Sequence, residues 1–326
     1  MRRVAITYSR VWATALLAWM LGGLAGGAKV HAQPVGGQVL AGEAAIAGTG
    51  LSTTITAGNN AVLRWETFNV PAQGRVEFIQ PGKEARVLNW IGGATPSQID
   101  GSLLANGQVY LMNRAGIYFG STAVVDVGAL YAVGGSVSKE DFLAGVNRFT
   151  DLTGEVRNEG QLRGATIALV GRSILNTGSI VAPDGFVGLA AGDQIFLRQT
   201  GSRILVDAGP ANVAGVVELN GTGVANRGDI SVGRGQAVLA AGDLYAVAIA
   251  HDGRLSGRDV TLAGQARGDV VVRGIIDASS VTPGVKGGNV TITGERVGIL
   301  NPTTIDASGL AGGGSIRVGG DFQGAN

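Results

Sequence analysis

Cysteine is absent from the chain, which excludes disulfide staples and thiolate metal sites and suits a polypeptide that crosses a membrane unfolded. Charge is scarce as well: 15% of the 326 residues are charged, where about 25% is usual. The 25 Lys and Arg balance 24 Asp and Glu, so the electrostatics favour neither nucleic acid nor an anionic membrane surface, and no nucleic-acid partner is expected. Proline occurs only 8 times and no Gly-X-Y period runs through the chain, so the 56 glycines signal neither collagen nor a disordered tract. With 45% of its residues apolar, the chain has enough to bury a core. Beyond the first 32 residues no stretch has the period of a long amphipathic helix.

What is present begins with a leader. Arg2, Arg3 and Arg10 precede an apolar stretch from Val11 to Leu24, which loosens into Gly26, Gly27 and Lys29. Val30-His31-Ala32 then offers small or β-branched residues at the positions that signal peptidase reads. The expectation is an export signal over residues 1–32, cleaved between Ala32 and Gln33. A membrane anchor would need about 20 apolar residues, and this run holds about 14. Arg2-Arg3 resembles a twin-arginine start, but Val4-Ala5 lacks the usual continuation, which favours the ordinary route for unfolded chains.

From about residue 36 onward the chain consists of short apolar alternations, each stopped by Gly, Asn or Asp, which is the pattern of many short strands. Val109 and Leu111 alternate with Tyr110 and Met112, Ile167 and Leu169 with Thr166 and Ala168, and Val290 and Ile292 with Thr291 and Thr293. Three Asn-X-Gly turns lead into such strands, at Asn158, Asn176 and Asn226. Leu189-Ala190-Ala191-Gly192-Asp193 returns as Leu239-Ala240-Ala241-Gly242-Asp243, an offset of 50 that the turns at Asn176 and Asn226 share. Ile276-Asp277-Ala278-Ser279 returns as Ile305-Asp306-Ala307-Ser308 after 29 residues, and Gly288-Asn289-Val290 as Gly314-Ser315-Ile316 after 26.

Recurrence at such spacing means stacked copies of one unit, because about 20 to 25 residues holding two or three short strands cannot close a core alone. The expected fold is therefore all-β, a parallel β-helix or solenoid with aliphatic columns along its axis. About 22 residues per coil predict roughly 13 coils and a rod near 60 Å long. Gly and Asn at the corners are read as residues tolerant of positive φ, and the recurring Asn as a hydrogen-bonded column. A solenoid must protect its ends, and residues 36–70, with Trp65 and Phe68, are the expected N-terminal cap. Gly312 to Asn326 break off inside a glycine-rich repeat, so residues 251–326 are read as continuing repeats of a truncated or fragmentary chain.

Residues 77 to 145 carry a specific likeness. Glu77-Phe78-Ile79-Gln80-Pro81-Gly82, Val87-Leu88-Asn89-Trp90-Ile91-Gly92-Gly93, Pro96-Ser97-Gln98-Ile99-Asp100-Gly101, Leu104-Ala105-Asn106-Gly107-Gln108-Val109-Tyr110-Leu111-Met112-Asn113 and Gly116-Ile117-Tyr118-Phe119-Gly120, followed by Asp126-Val127-Gly128-Ala129-Leu130 and Asp141-Phe142-Leu143-Ala144-Gly145, resemble the two-partner secretion domain of filamentous haemagglutinin-type exoproteins. The resemblance covers about residues 36 to 250, and assigns residues 33–250 to such a domain. It implies a right-handed, single-stranded parallel β-helix that a cognate outer-membrane transporter with polypeptide-transport-associated domains receives from the periplasm of a Gram-negative bacterium. It also implies release to the cell surface or medium, with a host-cell or surface glycan or protein as a further partner. The positions it marks for transporter recognition are Asn89, Asn106, Gly107, Asn113, Arg114, Ala115, Gly116, Phe119 and Gly120. The family's Asn-Pro-Asn-Gly stands here as Asn113-Arg114-Ala115-Gly116, with the outer residues kept and the central two changed. A purely structural role for these residues is the competing reading.

Chemistry finds little footing. His31 falls in the leader, which leaves His251 alone, and His251-Asp252-Gly253 reads as an exposed coil corner. Asp193 and Asp243 occupy equivalent repeat positions that would stack like charges, as do Asp277 and Asp306, and such repetition points to turn chemistry. No catalytic residue, cofactor or metal is expected. The alternative is a secreted β-helix enzyme acting on polysaccharide, which would need a groove with several non-repeated carboxylates.

Overall fold

The computed structural model describes residues 33–200, 203–208, 219–265 and 268–319; the expected leader, with Ala32, lies outside them. Short strands of the described chain stack into three parallel sheets that run along one axis. The first sheet has eleven strands, from Gln38–Ala41 and Ala61–Trp65 through to Ser315–Val318. The second also has eleven, from Ala44–Thr49 and Ser52–Ala57 to Thr304–Asp306. The third has eight, from Ser97–Ile99 to Val297–Ile299. The parallel β-helix expected from the repeats is the fold observed.

The alternation of apolar residues places one side chain of each pair inside the coil, and strict register stacks them. On the first sheet Val87, Val109, Leu130, Ile167, Val187, Ala237, Val260 and Val290 face one another in turn. On the second sheet Val76, Leu103, Val125, Leu162, Ile180, Ile230, Leu255 and Ile276 do the same. These columns are buried and form one continuous core. Each full burial of a Val, Leu or Ile side chain is worth about 1.5–3 kcal/mol, but no coil encloses its aliphatic row without the next.

The count of coils differs from expectation. After its first, antiparallel strand the first sheet holds ten parallel strands, which at the usual spacing between strands is a stack about 45 Å long. The 50-residue offset is the cause: Leu189 pairs directly with Leu239, so it spans one coil plus an insertion. Leu130 to Ile167 is a second lengthened coil, whereas Leu169 to Leu189 is a plain one of 20 residues. The offsets of 29 and 26 are likewise single coils, since Ile276 faces Ile305 and Val290 faces Ile316.

The N-terminal end is closed by antiparallel pairing. Gln38–Ala41 lies antiparallel on Ala61–Trp65, and Ala44–Thr49 on Ser52–Ala57; every later pairing within the three long sheets is parallel. Trp65 and Phe68, in the expected cap, are buried in the first coil, where Trp65 meets Phe68 edge-on at 5.4 Å and Phe68 stacks on Phe78 at 6.4 Å.

The two lengthened coils supply a layer outside the helix. The strands Asn147–Phe149, Ile195–Thr200 and Arg203–Ala208 form a small antiparallel sheet, accompanied by the short helix Lys139–Ala144. This layer covers the outer face of the first sheet, so that Leu88, Tyr110, Met112, Tyr131, Val133, Ala168 and Val170 are buried on the side away from the coil interior. Tyr110 stacks on Tyr131 at 4.2 Å and meets Phe142 of the helix edge-on at 5.2 Å. The first sheet is thus apolar on both faces, as a strand buried on both sides must be.

Candidate functional site

The residues singled out by the resemblance sit in two successive coils, those that begin with Arg86–Ile91 and Gln108–Asn113. Asn89, Asn113 and Phe119 are buried. Asn89 interrupts the buried leucine column of the first sheet between Leu63 and Leu111; its Oδ1 accepts from Trp65 Nε1 at 2.9 Å and its Nδ2 donates to the Tyr110 carbonyl at 3.2 Å. Asn106 is exposed but fixed: its amide bonds both the N–H and the carbonyl of Gln80, at 2.8 and 2.7 Å. Gly107 lies beneath it, where a Cβ would come within 2.7 Å of the Ala85 carbonyl.

The Asn113-Arg114-Ala115-Gly116 corner closes by a hydrogen bond from the Gly116 N–H to the Asn113 carbonyl at 2.9 Å. The Asn113 side chain is buried, accepts from the Ala115 N–H at 2.9 Å, and donates to Ser97 Oγ at 3.0 Å and to the Thr95 carbonyl at 3.1 Å. Gly116 has φ of 115°, and a Cβ there would lie 2.7 Å from the Glu155 carbonyl, so glycine is required twice over. Arg114 projects to solvent and is ion-paired with Asp151. Thr153 Oγ1 donates to the Arg114 carbonyl at 2.8 Å, tying the corner to the next coil. Phe119 is buried in the core, and at Gly120 an added Cβ would collide with the Asp100 carboxylate. Asn113, Gly116, Phe119 and Gly120 therefore build a corner, and Arg114 and Asn106 are the marked residues with exposed side chains.

The recurring Asn turns give the most organised polar feature. On the third sheet Asn158, Asn176 and Asn226 stack in register. Asn158 Nδ2 donates to Asn176 Oδ1 at 2.8 Å, and Asn176 Nδ2 to Asn226 Oδ1 at 2.7 Å. All three are buried. The expected column is there, and its next member is His251, fully buried against expectation: Asn226 stands 3.1 Å from His251 Nδ1, and Nε2 stands 3.1 Å from the Ile275 carbonyl. The exposed part of this corner is Asp252, beside Arg227 at 3.9 Å and Arg273 at 3.8 Å. Burial drives the His251 pKa below its usual value.

The glycines of these turns have a reason other than the one expected. Gly178, Gly228, Gly253 and Gly274 are not among the positive-φ residues. A Cβ on any of them would come within 2.1–2.2 Å of a carbonyl of the preceding coil, so glycine is required by the closeness of stacked corners. The repeated aspartates serve turns: Asp277 Oδ1 accepts from the Ser279 N–H and Asp306 Oδ1 from the Ser308 N–H, at 3.1 and 2.8 Å. Asp193 pairs with Arg172 at 3.1 Å.

A family model described as the TPS secretion domain matches residues 42–292. The chain is similar to a heme/hemopexin-binding protein of Haemophilus influenzae strain Rd, with 30% identity over 221 residues, which are 63% of this chain and 24% of that protein. It is similar to a second H. influenzae protein of the same description, with 38% identity over 80 residues, 24% of this chain and 9% of the other. The chain thus spans about a quarter of the length of the first of these relatives. In structure it is similar to the HMW1 secretion domain of Haemophilus influenzae, with a TM-score of 0.76 at 27% identity over 90% of this chain and 78% of that one. It also shares its fold with a filamentous hemagglutinin secretion domain, with a TM-score of 0.63 at 15% identity over 89% of this chain and 100% of that one.

Proposed function

The chain belongs to the TPS secretion domain family, and on that premise we propose that it is the N-terminal targeting region of a large exported adhesin-type protein. In this reading residues 1–32 direct the unfolded chain to the periplasm and are cut off after Ala32. A cognate outer-membrane transporter with polypeptide-transport-associated domains then receives residues 33–250 and threads them out of the Gram-negative cell. The β-helix forms at the surface, and residues 251–326 prolong it. Adhesion to host-cell or surface glycan or protein belongs to this rod or to repeats beyond it.

The observation that carries the proposal is that nearly all of the family match lies within one unbroken parallel stack. The match ends at residue 292, and parallel pairing runs without a gap from Ser52–Ala57 through that point. Each coil offers the next a ready hydrogen-bonding edge, so folding outside the cell draws the next segment into place and opposes its return. Gln33, the residue after the expected cut, donates from its side chain to the Leu51 carbonyl and accepts from Thr53 Oγ1, which ties this position to the first coil.

A role without catalysis is supported by the commitment of the acidic side chains. Asp277 and Asp306 hold turns and Asp193 is ion-paired, so the repeated carboxylates are bound up in the scaffold. The test is deletion of residues 36–145 with the leader retained. The variant should accumulate in the periplasm, and secretion at the normal level would refute the proposal.

A further inference from the structure

The amide ladder has a direction. The Gly160 N–H donates to Asn158 Oδ1 at 3.1 Å, which fixes the orientation of the first amide. Asn158 then donates to Asn176, and Asn176 to Asn226. With its oxygen engaged by Asn176, Asn226 can present only its NH₂ to the next coil, so His251 must accept at Nδ1. The ring proton is thereby placed on Nε2, which donates to the Ile275 carbonyl 3.1 Å away. The neutral imidazole has one donor and one acceptor, and here both are used.

A second proton has no place in this arrangement. It would set an Nδ1–H against the Asn226 NH₂, donor against donor. Turning Asn226 over would oppose its NH₂ to that of Asn176, and correcting this in turn would reach Asn158, whose NH₂ would then confront the Gly160 N–H. The charged groups around the ring do not remove the conflict. Asp252, at the adjoining corner, is shared with Arg227 from the coil before and Arg273 from the coil after. Arg254, on the following strand, is bound to Asp277 at 2.8 Å.

We propose that His251 makes closure of the central coils proton-sensitive: the Asn158–Asn176–Asn226–His251 ladder completes only on a neutral ring, so acidification holds the coils on either side of His251 open. The sign follows from linkage. The unfolded chain binds the proton at the ordinary value of about 6.5, and the folded chain binds it at a lower pH. The stability contributed by the neutral ring is therefore complete above pH about 6.5 and is lost as pH falls below it.

The test uses the full chain carrying His31→Ala, which leaves His251 as its one imidazole. Nitrogen-detected NMR should show a single neutral ring with its proton on Nε2 at pH 6; an Nδ1–H tautomer, or titration near pH 6.5 in the folded protein, overturns the proposal. Between pH 6 and 5 the unfolding equilibrium constant should rise by up to about tenfold per pH unit. In His251→Asn, which offers the ladder an amide instead, that rise should vanish, and an equal slope in both proteins overturns the proposal. Should the variant fail to fold at neutral pH, the NMR titration decides alone.

Discussion

Asn176 receives a hydrogen bond from Asn158 and gives one to Asn226, so its replacement by Ala orphans a buried donor and a buried acceptor at once. Each such group costs about 1–3 kcal/mol, and Asn176→Ala should lower the unfolding free energy by about 3 kcal/mol. Thr177→Ala, one position along the same corner, should cost less than about 1 kcal/mol, and denaturant titration of the two variants checks the contrast. The ladder was legible because three copies of Asn-X-Gly repeat. His251 was not, because it keeps the position while changing the letter, and nothing local announces that its ring nitrogens continue a pattern of amides. The marked positions Asn113 and Gly116 were legible as a turn, but their inward orientation depends on Thr95, Ser97 and Glu155, contributed by neighbouring coils.

At the scale of elements the outer layer escaped the sequence pattern. Tyr110 and Met112 read as the outward half of an alternation, and they do face outward, yet they are buried beneath the helix and the small antiparallel sheet. The signal available was that both halves of the alternation are apolar. The strands of that sheet come from two insertions far apart in the chain, and short segments without internal repetition carry little period to detect. Beside its pairing with Asn147–Phe149 and its packing on the first sheet, the hairpin is tied down by Gln236, which accepts from the Ile204 N–H at 2.9 Å and donates to the Ile204 carbonyl at 3.1 Å, imitating a strand partner. Gln236→Ala should therefore raise amide exchange in residues 195–208 at least tenfold while protection in the coil strands is unchanged, as mass spectrometry of exchanged peptides would show.

For the whole molecule, stability is a sum over coils and the contacts between neighbours, as in other repeat folds. Ending the chain after Thr293 removes the last stacked strand of each sheet and leaves the earlier columns intact. That variant should remain monomeric, with a β spectrum and a melting temperature lowered by only a few degrees. Removing residues 33–49 strips the antiparallel strands from the first coil and bares the edges at Ser52–Ala57 and Ala61–Trp65, so that variant should self-associate on size exclusion. The repeats disclosed the axis and the stacking, whereas the number of coils was hidden by insertions that lengthen a coil without adding one.

The small antiparallel sheet also gives the molecule two closing times. The inner core seals coil by coil as polypeptide arrives, but Asn147–Phe149 must wait for its partner Ile195–Thr200, about fifty residues later. During that interval Phe186, whose outer-face cover Ile204 and Val206 belongs to the hairpin, stands bare on an otherwise finished surface. A half-emerged chain is therefore distinguishable from a completed one by its greasy flank, and arrival of the hairpin ends that interval.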